Sequence, residues 1–209
     1  MKYFIIAALF MSSPAFADMQ QDIVDIQHAW AKANYDTAED QQEKAFEELV
    51  RQAQAVADSY PDKAEPKVWQ AIVLSTQAGV VGGLGALGKV KEARSLLEAA
   101  EAIDPNALDG SIYTSLGSLY YQVPGWPIGF GNDDKAEKYL KKALTLNPDG
   151  IDPNYFYGDF MLEEGKPQEA VKYFEKAMNA PQRPNRPLAD NGRKREIAAK
   201  LTRAKEQLN

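Results

Sequence analysis

Gly83, Gly85 and Gly88 satisfy G-x-G-x-x-G, and Gly83, Gly88 and Lys89 satisfy most of G-x-x-x-x-G-K-[ST], two glycine patterns that cradle phosphates. Neither match survives its context. A dinucleotide fingerprint follows a strand, whereas residues 68–77 read as an amphipathic helix, and the phosphate loop needs Ser or Thr where this chain has Val90. The chain has no cysteine and a single histidine, His28. Disulfides, thiolate metal sites, cysteine nucleophiles and any scheme needing two histidines are thereby excluded. Carboxylates are plentiful, but in residues 133–142 and 163–176 they alternate with lysines as helix surfaces. No pair stands isolated in an apolar setting that would raise a carboxyl pKa, and no G-x-S-x-G or S-x-x-K occurs in a fitting context. The expectation is a protein that is not an enzyme, with no catalytic residue, no cofactor and no metal.

The elements that position any site begin after residue 17. Met1-Lys2 is a short positive start, residues 3–11 are an apolar run, and Ala15-Phe16-Ala17 offers small side chains where a signal peptidase reads. A membrane anchor needs about 20 apolar residues, and this run is half that before Ser12, Ser13 and Pro14 interrupt it. Residues 1–17 are therefore expected to be a signal peptide cleaved after Ala17, placing the mature chain in the periplasm or outside the cell with no membrane span. Loss of Lys2 takes the net charge from −6 to −7. An acidic chain lacks the basic stripe that a nucleic-acid partner requires. With 209 residues, 44% apolar and 26% charged, it is long enough for a real core.

A repeat organises that core. Tyr60-Pro61-Asp62, Ile103-Asp104-Pro105-Asn106 and Leu146-Asn147-Pro148-Asp149 each close a helical segment, with prolines 44 and 43 residues apart. Ala93, Leu97 and Ala100 before Pro105 match Ala136, Leu140 and Ala143 before Pro148 at identical spacings. Small residues at these points let neighbouring helices approach closely.

Gly158, Ala170, Phe174 and Ala177 complete the pattern, and over residues 152–181 the chain resembles the tetratricopeptide repeat, a helix–turn–helix of 34 residues. The preceding copy carries Tyr113, Leu116, Gly117 and Tyr120; Trp69 and, more loosely, Trp30, Ala45 and Leu49 extend the likeness. The resemblance implies an all-α, helical-hairpin solenoid with approximate repeats at 22–61, 64–105, 108–148 and 151–181 and a cap at 190–208, N-capped by Asp190 or Asn191. Each hairpin alone leaves an apolar face open, so stacking makes one core. Trp30, Trp69, Phe156 and Phe160 are read as core, and His28 as a solvated or capping residue.

Two departures from the family spacing carry the functional expectation. Gly117 and Ala136 lie 19 apart, seven more than the family pattern, around Val123-Pro124-Gly125-Trp126-Pro127-Ile128-Gly129-Phe130-Gly131. In the preceding copy the span from Thr76 to Ala93 is about eight too long and contains the glycine-rich stretch 78–88, read as a flexible inter-helix connection. Equivalent loops in stacked repeats should meet along one edge, so Pro124, Trp126, Pro127, Phe130, Leu84 and Leu87 are candidates for a binding lip. The aromatic rings could equally pad their own loop. The resemblance also implies a concave groove that takes peptides, lined by Thr114, Ser118, Tyr121, Tyr155 and Asp159. Residues 183–209 hold eight basic against three acidic side chains, expected to be mostly a solvated cap, with lipid headgroups or an acidic partner as the alternative.

These features point to an exported scaffold or adaptor whose partner is another protein or peptide. The layout is loosely similar to the helical accessory subunits of TRAP-type transporters, which implies the alternative of a small apolar ligand and self-association; the missing lipoprotein cysteine departs from that likeness.

Overall fold

In the computed structural model, residues 14–208 are described, excepting the side chains of residues 14–17 and of Leu84. Most of the expected signal peptide lies outside the described residues. Nine α-helices and one short 3-10 turn at Ala107–Gly110 make up the described chain, and no strand occurs among them. Four hairpins follow one another: α1 (Pro14–Tyr35) with α2 (Glu39–Ser59), α3 (Ala64–Val81) with α4 (Gly83–Ile103), α5 (Ser111–Gln122) with α6 (Asp133–Leu146), and α7 (Ile151–Glu163) with α8 (Pro167–Met178). A final helix, α9 (Pro187–Glu206), packs against α8 and α7 and reaches back to α1.

The repeat positions do what their spacing demands. Ala93, Leu97, Ala100, Ala136, Leu140, Ala143, Ala170, Phe174 and Ala177 are all fully buried. Inside each of the last two hairpins one glycine admits the partner helix: a Cβ on Gly117 would come within 2.7 Å of Leu140 Cδ2, and one on Gly158 within 2.9 Å of Phe174 Cδ1. Two apolar clusters result. One runs from α3 to α9, and the other joins α1 and α2 to Trp69 and Val73 of α3 and Ala189 of α9.

The glycine-rich insertion is not the flexible connection expected from its composition. Residues 78–88 continue α3 and open α4, and the break falls at Gly82 and Gly83, with φ +64° and +56°. The stretch contains no proline, so helical hydrogen bonding persists on both sides of that break despite a cost of about 1 kcal/mol for each glycine. The second insertion contains Pro124 and Pro127, which cannot sit in a helix interior, and it forms a true loop between α5 and α6.

The C-terminal helix also differs from expectation. It begins at Pro187, with Arg186 at its N-cap, and Asp190 lies buried within it. Asp190 instead accepts hydrogen bonds from the Arg183 backbone N–H (2.8 Å) and Nε (2.7 Å), pinning the α8–α9 connection. Rather than only sealing the end of the stack, α9 ties the last repeat to the first. Gly192 sits on the ring of Tyr35, where any Cβ would clash, and His28 Nε2 donates to the Asn185 carbonyl at 2.7 Å.

Candidate functional site

Two surfaces emerge, an outer loop and a concave cavity. The loop between α5 and α6 is held at its base by backbone hydrogen bonds from Gly131 N to Pro124 O (3.0 Å), from Ile128 N and Gly129 N to Gly125 O (3.1 Å each), and from Asn132 N to Tyr120 O (2.8 Å). Asn132 then N-caps α6 through its side chain, which accepts from Lys135 N at 2.8 Å. On this fixed base the aromatic pair divides. Phe130 folds inward, meeting Tyr120 edge-to-face at 5.6 Å with the Arg94 guanidinium 4.4 Å above its ring. Trp126 points away and is 90% exposed, beside Ile128 at 63%.

Of the other lip candidates, Pro124 and Pro127 are exposed beside Trp126, while Leu87 is half-buried on α4 and packs on the core. The side chain of Leu84 lies outside those described. Arg94 links the loop to α4, so the second insertion leans on the preceding repeat through Phe130.

The concave side holds a cavity of about 510 Å³. Its walls come from the first helix of every hairpin: Trp30 on α1, Trp69 and Thr76 on α3, Thr114 and Ser118 on α5, and Phe156 on α7. The α8–α9 connection and Arg193 close it. Trp30 and Trp69, read as core, are indeed buried, and their rings meet edge-to-face at 6.3 Å, yet both also face this space. Trp30 Nε1 donates to Thr76 Oγ1 at 2.9 Å.

The five groove candidates separate under α9. Thr114 and Ser118 line the cavity. Tyr121, Tyr155 and Asp159 are taken up by contacts within the protein: Tyr121 Oη donates to Asp159 Oδ2 at 2.9 Å, Lys200 Nζ of α9 meets Asp159 Oδ1 at 2.6 Å, and Arg193 lies 4.5 Å over the Tyr155 ring. Burial, with the Asp159 charge adding to it, pushes the Tyr121 hydroxyl well above its ordinary pKa.

The basic C-terminal run is engaged rather than merely solvated. Arg183 bridges Asp152 and Asp190 (2.6 Å each), Arg193 pairs with Asp152 (2.9 Å) and Glu196, Lys200 and Arg203 reach Glu163, and Lys205 meets Glu175. Burial alone would raise the Asp152 carboxyl, but Arg183, Arg193 and Arg186 outweigh it and hold the group well below the usual carboxylate range. Arg186 and Asp152, which organise this wall of the cavity, had no distinguishing signal in the sequence, because only the path of α9 brings them together. Among the described residues no group of three or more His, Cys, Asp or Glu could hold a metal ion, and no helix is long and apolar enough to cross a membrane.

Comparison with known proteins bears on the fold. The family model described as tetratricopeptide repeat matches residues 128–149, which cover the end of the α5–α6 loop and all of α6. No protein of curated function matches the chain in sequence. The crystal structure of TTC0263, a thermophilic TPR protein in Thermus thermophilus, is similar with a TM-score of 0.57 at 17% identity, covering 88% of this chain and 99% of that one. The crystal structure of MamA is similar with a TM-score of 0.45 at 19% identity, covering 80% of this chain and 91% of that one. The stacked hairpins with their buried small residues, the matched repeat and the likeness to TTC0263 show that this chain has the tetratricopeptide-repeat fold.

Proposed function

We propose that the protein is an exported, non-catalytic scaffold that docks another protein on the loop between α5 and α6. One observation carries this reading: an indole left 90% exposed on a loop whose base is fixed by backbone hydrogen bonds. Exposed aromatic anchors draw their energy from an interface, and a loop already ordered does not lose that entropy on binding. Helical-repeat solenoids present extended surfaces of the kind protein partners use, and per-repeat insertions are often the binding face. Export is supported by the short positive start Met1-Lys2, the apolar run of residues 3–11 and the small side chains of Ala15-Phe16-Ala17.

The test is capture of a partner from periplasmic extract on the immobilised mature chain. Trp126→Ala with Ile128→Ala should weaken capture by at least about 2 kcal/mol, roughly 30-fold, with the melting temperature unchanged. Full recovery of the partner by that double variant would remove the loop from the reading.

A further inference from the structure

The concave cavity has a property that the docking loop does not use. Three arginines converge on its α9 side, and two are answered: Arg183 by Asp152 and Asp190, Arg193 by Asp152 and Glu196. Among the described residues Arg186 has neither an ion pair nor a side-chain hydrogen bond, and its buried Nε has no partner. The guanidinium lies 5.1 Å over the Trp69 ring, and Trp69 Nε1 is itself a buried donor without an acceptor. Guanidinium and indole nitrogens only donate, so neither can supply the acceptor the other is missing. Burial first, and then repulsion from Arg183, outweigh the pull of Asp152 and Asp190 and lower the Arg186 pKa to about 10, the direction opposite to that of Arg183 and Arg193. Arg186 is half-buried with its Nε shut away from any acceptor, and an anion entering beside it would supply one.

The remaining lining narrows the ligand. Trp30, Ile72 and Phe156 offer an apolar surface, while Asp109, Asp149 and Asp152 also line the cavity, Asp149 with Lys176 at 3.3 Å and Asp152 with Arg183 and Arg193. A doubly charged anion would be repelled by these acids more strongly than a singly charged one. A carboxylate carries one charge and fits the planar guanidinium fork. A space of about 510 Å³ is within the range of small-molecule sites. We propose that this cavity binds a small organic monocarboxylate with an apolar body, its carboxylate on Arg186 and its body against Trp30 and Trp69. The site is separate from the α5–α6 loop, and its occupation does not depend on the docking of a protein there.

The test uses the mature chain carrying Trp126→Phe, so that fluorescence reports on Trp30 and Trp69, with calorimetry in parallel. Probes are octanoate, octanol and octyl phosphate, together with a short apolar peptide bearing a free C-terminus. Octanoate should bind saturably, with octanol weaker by roughly tenfold or more, and Arg186→Gln should cost octanoate a similar factor. Ser115→Phe, which narrows the cavity and leaves the guanidinium in place, should also weaken octanoate, keeping the test valid if Arg186→Gln folds poorly. The proposal is overturned if octanoate does not saturate, if octanol equals it, or if Arg186→Gln binds unchanged. Tighter binding of octyl phosphate would contradict the single-charge assignment, and tighter binding of the peptide would contradict the small-molecule one.

Discussion

Splitting Trp126 from Phe130 tests the α5–α6 loop most sharply, because the two rings sit four residues apart and should behave oppositely when truncated. Phe130 is half-buried, with Tyr120 edge-to-face at 5.6 Å and Arg94 at 4.4 Å above it. A fully buried Phe→Ala change costs about 3–5 kcal/mol, so a half-buried ring loses roughly half of that. The edge-to-face pair adds about 0.5–1.5 kcal/mol and the cation about 0.5–1 kcal/mol at a partly exposed site. Phe130→Ala should therefore destabilise by about 2.5–5 kcal/mol, which for a chain of this length lowers the melting temperature by roughly 5–20 °C. Trp126, at 90% exposure, has almost nothing to lose: Trp126→Ala should stay within about 0.5 kcal/mol of wild type. Thermal unfolding followed by circular dichroism reads both variants side by side. Equal drops, or a drop of several degrees for Trp126→Ala alone, would refute the inward and outward assignment of the two rings.

Three other outcomes are expected. Gly158→Val should cost about 2–4 kcal/mol, since a Cβ there would already lie 2.9 Å from Phe174 Cδ1 and β-branching adds to the clash; an unchanged melting temperature would contradict the hairpin register. Asp152→Asn should destabilise the protein near neutral pH by less than the roughly 3–5 kcal/mol of a fully buried pair, because the Asp152 side chain keeps 28% exposure. Because the folded carboxyl is held below its unfolded value near 3.9, that contribution is complete above about pH 5 and fades as pH falls through 3.9 toward the folded value. The melting-temperature gap between wild type and variant should close in acid, and a gap that widens there would reverse the sign. Replacing Ala17 with Trp should leave an uncleaved precursor, and normal processing to a chain beginning at Asp18 would contradict the reading that the peptidase needs a small side chain at Ala17.

The repeat was legible because local spacing determines it. Ala93, Leu97 and Ala100 recur as Ala136, Leu140 and Ala143, and a 3.6-residue period puts each set on one buried face. Glycine content misled at residues 78–88: glycine weakens a helix by about 1 kcal/mol per residue, whereas proline forbids it, and only the α5–α6 insertion has proline. The path of α9 was not legible. Its charged side chains contact separate elements, Gly192 sits against α1 and Lys200 against Asp159 of α7, so no single apolar stripe marks its direction. That path decides the concave surface, since it covers Tyr121, Tyr155 and Asp159 while leaving Thr114 and Ser118 on the cavity wall. It also separates Arg186 from Arg183, two arginines three residues apart in one basic run that differ only in what they meet.

The most direct measurement of scaffold function is site-specific photocrosslinking in periplasm, with a photoreactive residue replacing Trp126 in one variant and the exposed Lys138 of α6 in another. Both variants should fold, because neither side chain is buried, so any difference between them belongs to the surface. A discrete adduct to another protein from position 126, absent from position 138, is the result expected of a docking loop. Equal labelling at the two positions, or none at 126 while the chain is folded and correctly processed, would contradict it.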